Sequence, residues 1–119
     1  MTESQAQAAV REHVAAFNRH DTSRLLAGLA DEVVWITGQD TIRGLDGLET
    51  LFDDWLWGLN PSLSVRTLVS DEQHVAAEFT EELTVEGERR TFHIAAFFAV
   101  KAGRITSAKI YREGSADLE

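Results

Sequence analysis

A chain of 119 residues with 44% hydrophobic side chains has the size and apolar content of one globular domain, and no repeat, linker or low-complexity stretch divides it. Against 20 acidic residues stand only 11 basic ones, a formal charge of −9 that argues against nucleic acid or an anionic membrane as partner, since both reward clustered Lys and Arg. Cysteine is absent, which excludes disulfides, thiolate metal sites and cysteine nucleophiles.

The histidines, His13, His20, His74 and His93, show no ligand spacing such as H-E-x-x-H, so neither a metal nor a cofactor is expected. No apolar run approaches the ~18 residues of a spanning helix. The opening Met1-Thr2-Glu3-Ser4-Gln5 is polar, with no apolar signal region behind it. A cytoplasmic protein is the expectation.

Thr2 and Gln5 have the spacing of a capping box, and behind them Val10, His13, Val14 and Phe17 form one helical face. Asp21 can cap a second, short helix carrying Leu25, Leu26 and Leu29. Val33 to Thr37 is β-branched and aromatic and ends at Gly38, the pattern of a strand, with Thr41 to Arg43 as a short companion. Leu48, Leu51, Phe52, Trp55 and Leu59 then share a face of a third helix, which Asn60-Pro61 terminates. Trp57 falls off that stripe, at a rim or an interface. Four strands follow: Leu63 to Val69, Val75 to Val85, Arg90 to Val100 and Ile105 to Glu113. Glu86-Gly87-Glu88 and Ala102-Gly103 turn the last three. Three helices followed by an antiparallel meander predict an α+β domain over residues 1–119, its helices gathered on one side of the sheet.

One residue breaks the pattern. Along Val75 to Val85 one face reads Val75, Ala77, Phe79, Glu81, Leu83, Val85, and the other is polar apart from Ala76. Glu81 is a carboxylate in an apolar row. Burial disfavours its charged form, so it is a general acid or base of raised pKa, within direct or water-mediated reach of His13, or half of an ion pair, with Arg112 the candidate partner, unless the strand twists it out to the surface.

The segments Val14-Ala15-Ala16-Phe17-Asn18 with Asp21, Leu29 to Trp35, Ile42 to Leu48, and Phe98, Val100, Gly103-Arg104-Ile105 resemble the nuclear transport factor 2-like superfamily, in its SnoaL-like and ketosteroid-isomerase-like branch. The resemblance implies a cone-shaped α+β barrel: a curved, mainly antiparallel sheet wraps the long first helix and leaves an apolar pocket at its open end. It also implies where to look for function. Ketosteroid isomerases place an oxyanion-hole tyrosine, a base aspartate and a protonated aspartate at positions that here hold His13, Thr37 and Ala96. Epoxide hydrolases of the limonene type carry an Asp-Arg-Asp relay, plus a water-holding tyrosine and asparagine. Those positions hold Glu81, Phe79, Ile110, Trp35 and Thr37. Neither known mechanism carries over intact, and the shared point is an acid at Glu81.

The site expected from these residues joins Glu81 and His13 as catalytic candidates. Trp35, Thr37, Trp55, Phe79, Ala96, Phe98, Ile110 and Arg112 are expected to line a pocket for a small apolar molecule. The expected function is proton-transfer chemistry (isomerase, cyclase, dehydratase or hydrolase), the alternative being a non-catalytic binding or dimerisation module. From Ile94 onward the strand to Val100 is apolar on both faces. A sheet greasy on both sides needs cover on both. The outer patch, Ala95, Phe97 and Ala99 joined by Leu68, Ile105 and Tyr111, therefore predicts a homodimer.

Overall fold

The computed structural model describes residues 4–112. The elements run α1 Gln5–Asn18, α2 Thr22–Ala27, β1 Leu29–Thr37, β2 Asp40–Arg43, α3 Leu45–Asp54, a 3₁₀ turn Leu56–Leu59, β3 Ser62–Ser70, β4 His74–Val85, β5 Glu88–Lys101 and β6 Arg104–Arg112. One six-stranded sheet has the order β2-β1-β6-β5-β4-β3, antiparallel throughout except for the parallel β1–β6 pair. It is curved and unclosed, with the three helices against it, as the α+β expectation required.

Local chemistry sets the boundaries. Ser4 caps α1 by accepting from the Gln7 backbone N–H, so the cap falls two residues after Thr2, which lies outside the described residues, as does Glu113. Asp21 caps α2 as expected. Leu29, expected on that helix, is instead the first residue of β1, because Gly28 ends the helix and its carbonyl accepts from the Ile105 N–H. The loops Glu86-Gly87 and Ala102-Gly103 both have positive φ at their two residues, the twist-matched geometry of tight hairpins.

Four expectations about faces fail, each through a break in period. α3 stops at Asp54, and Trp55 (φ −137°, ψ −61°) leads into the 3₁₀ turn, whose phase differs from that of an α-helix. Trp55 is consequently half exposed instead of lying on the buried stripe. Trp57 turns inward: its ring stacks between those of Phe52 (5.0 Å) and His20 (4.7 Å), and its Nε1 donates to Thr22 Oγ1 at 2.8 Å. On the sheet, register shifts leave Arg66 and Thr106 as extra residues. A bulge flips the alternation beyond it. Leu68 therefore packs toward the core opposite Ala77, and Ile105 is fully buried, so neither belongs to the outer patch.

The core lies between α1 and the concave face of the sheet, with α3 closing one side. Phe79, Leu83, Ile94, Phe98 and Ala108 supply its sheet side. The convex face keeps Phe97 (52% exposed), Tyr111 (47%) and Val69 (58%) in the open.

Candidate active-site cavity

Residues from α1, β1, α3, β4, β5 and β6 enclose a cavity of about 670 Å³, whose mouth includes the β1–β2 hairpin, Gly38 to Asp40. Its wall is mostly aromatic and aliphatic. Strand alternation delivers Trp35 and Thr37 from β1, Phe79 and Glu81 from β4, Ile94 and Phe98 from β5, and Ile110 and Arg112 from β6.

Glu81 is only 4% exposed and is not a lone acid. Arg112 donates to its Oε1 twice, from Nη2 at 2.6 Å and from Nε at 3.2 Å. The guanidinium also lies 5.9 Å from the centre of the Phe92 ring. The register explains the meeting: Arg112 is opposite Ile94, Ile94 is opposite Phe79, and Glu81 is the next inward residue on β4. The ion pair that the sequence left open is formed, and the strand does not turn Glu81 out to the surface. The guanidinium supplies the partner that a buried carboxyl group needs.

His13 lies at the other side of the wall, against the rings of Trp35 (5.2 Å), Phe98 (6.1 Å) and Phe17 (6.3 Å). Burial alone pushes its pKa down to about 4, so the imidazole is neutral near pH 7. Nδ1 is sealed from solvent and has no hydrogen-bond partner among the described residues. No direct hydrogen bond joins His13 to Glu81 among the described residues. The Phe98 and Phe79 rings, 6.3 Å apart, form the stretch of wall that leads from one to the other.

The remaining expectations divide cleanly. Trp35, Thr37, Trp55, Phe79, Phe98, Ile110 and Arg112 all line the cavity. Ala96 does not. It faces inward and is fully buried, but a methyl group between Ala77 and Ile110 stays behind the larger side chains that form the wall. Phe17, Phe52 and Ile94 line the cavity without having been expected there, although each lies on an apolar face read from the sequence. Asp40 is the residue that sequence reasoning missed, since a carboxylate beside a turn looks like ordinary solvated surface. No group of His, Cys, Asp or Glu among the described residues has the arrangement of a metal site.

A curved sheet around one long helix, with an acid-bearing apolar cavity at its open end, defines a nuclear transport factor 2-like protein. More narrowly, the chain belongs to the SnoaL-like domain family, whose profile matches residues 10–108. No significant match exists among curated proteins. Among solved structures, a Mycobacterium tuberculosis epoxide hydrolase of the LEH-like type is 26% identical, with a TM-score of 0.84, covering 92% of this chain and 83% of that one. A candidate polyketide cyclase from Xanthomonas campestris is also 26% identical (TM-score 0.76; 90% and 89% covered). A candidate ketosteroid isomerase from Kribbella flavida, 20% identical, shares the fold (TM-score 0.78; 93% and 79% covered). No helix among the described residues is long and apolar enough to cross a membrane.

Proposed function

We propose that this protein takes a small, largely apolar molecule into its cavity and moves a proton on it, with Glu81 as general base. The observation that carries this reading is the buried Glu81–Arg112 pair in an otherwise apolar wall. Arg112 occupies only Oε1, which leaves Oε2 to take a proton from a bound ligand. In this reading His13, neutral near pH 7, donates to a ligand oxygen from Nε2, the nitrogen that is not sealed away, and takes no part in shuttling protons. The likeness to an epoxide hydrolase and a candidate polyketide cyclase, both of 26% identity, supports an enzyme of isomerase, cyclase, dehydratase or hydrolase type.

One observation favours a second reading, a binding module without chemistry: both hydrogen bonds of Arg112 fall on the one carboxyl group that would act. Native mass spectrometry of the purified protein, followed by Glu81→Gln, separates the two. A retained apolar compound should be turned over by the wild type, and Glu81→Gln should slow that turnover at least ~100-fold. Binding retained with no turnover in either form would identify Glu81 as a structural partner of Arg112 alone.

A second copy of the chain is the partner we propose for the convex sheet face, where Phe97 and Tyr111 meet edge to face at 5.9 Å in the open.

A further inference from the structure

The ionisable residues of the cavity wall are His13, Asp40, Glu81 and Arg112. Glu81 and Arg112 neutralise each other, and His13 is uncharged near pH 7. Asp40 is left without a counter-charge: no ion pair or side-chain hydrogen bond to it is formed among the described residues. An apolar cavity whose one uncompensated charge is negative, in a chain of net charge −9, selects its ligand by sign.

The same cavity carries an exposed aromatic surface. The chain turns at Gly44 (φ +84°) between β2 and α3, and the start of α3 packs on β2, for a Cβ added at Gly47 would lie 2.8 Å from Ile42 Cγ2. Asp40, at the start of β2, and Trp55, which follows α3, both line the cavity, and Trp55 is 51% exposed. An indole face attracts cations.

We propose that Asp40 and Trp55 form an ammonium-binding subsite at the cavity mouth, so that the preferred ligand is an apolar molecule carrying a protonated amine. The amine rests at the mouth, against the carboxylate and the indole, and the apolar body fills the aromatic interior. This rests on the cavity being a ligand site and adds to that reading the charge of the ligand.

Isothermal titration calorimetry at pH 7 with three adamantane probes of one shape tests it: 1-adamantylmethylammonium, 1-adamantanemethanol and adamantane-1-carboxylate. The ammonium probe should bind roughly tenfold more tightly than the alcohol, and the carboxylate more weakly than either. Asp40→Asn should bring the ammonium probe to the affinity of the alcohol, and Trp55→Ala should reduce the preference severalfold. Glu82→Gln, the same charge change on the outer face of β4, should leave the preference in place. Equal binding of ammonium and alcohol by the wild type overturns the subsite and leaves the cavity reading standing. A preference lost equally in Glu82→Gln shows a general field effect and overturns it too. If none of the three binds, the cavity reading falls and takes the subsite with it.

Discussion

His13 couples the cavity to pH through its burial. In the unfolded chain it titrates near its ordinary value of 6.5, and in the fold only at about 4. Between those values the unfolded state binds the proton and the native state does not, so stability falls as pH falls from 6.5 and levels out below about 4. The full loss is on the order of 3 kcal/mol. Denaturant unfolding from pH 7 to pH 4 should show this slope in the wild type, beyond whatever His13→Leu shows. Parallel curves for the two proteins would mean that His13 finds a proton acceptor or water when charged. Glu81 was legible because it interrupts a period-2 apolar row, and Arg112 was named as its alternative partner. Asp40 was not legible, because an acidic residue next to a turn carries no signal until the fold sets it in the cavity wall.

Trp57 does for the elements what Glu81 does for the site. Its ring stacks on Phe52 of α3 and on His20 after α1, meets Phe17 of α1 edge to face at 5.3 Å, and bonds to Thr22 at the start of α2. Thr22 in turn donates to Asp53. Three helices thus converge on one side chain behind the cavity wall. Trp57→Ala should cost about 3–5 kcal/mol in denaturant unfolding, the range for truncating a packed aromatic. A loss below about 1 kcal/mol would show that Phe17 and Phe52 hold the wall without it. The helical period gave all three helices and the alternation gave all four strands of the meander. What neither period could show is where it breaks. Trp55 in the α3 terminus, Arg66 in β3 and Thr106 in β6 each shift the phase, and Trp57, Leu68 and Ile105 land on faces opposite to those expected.

The whole molecule has two apolar surfaces and only one set of helices. α1 and α3 cover the concave side, and the convex side keeps Phe97 and Tyr111 half exposed, with Lys109 Nζ 5.2 Å from the Tyr111 ring centre. A two-fold pairing would set each Phe97 against its copy. The wild type should therefore sediment as a dimer at micromolar concentration and Phe97→Asp as a folded monomer, because the variant buries an unpaired charge at the centre of the contact. A wild-type monomer at that concentration would remove the dimer from the account.

The parallel pairing of β1 with β6 has a consequence for the order of synthesis. Trp35 and Thr37 stand opposite Ala108 and Ile110, so the wall they share joins the earliest strand to the last. Until β6 leaves the ribosome, β1 waits with one edge unpaired, and Glu81 has no arginine. A nascent chain can close its hairpins as it emerges, but not its cavity. The cavity is therefore complete only once β6 has paired, and a chain stalled before β6 would expose both an apolar trough and an open strand edge to its neighbours.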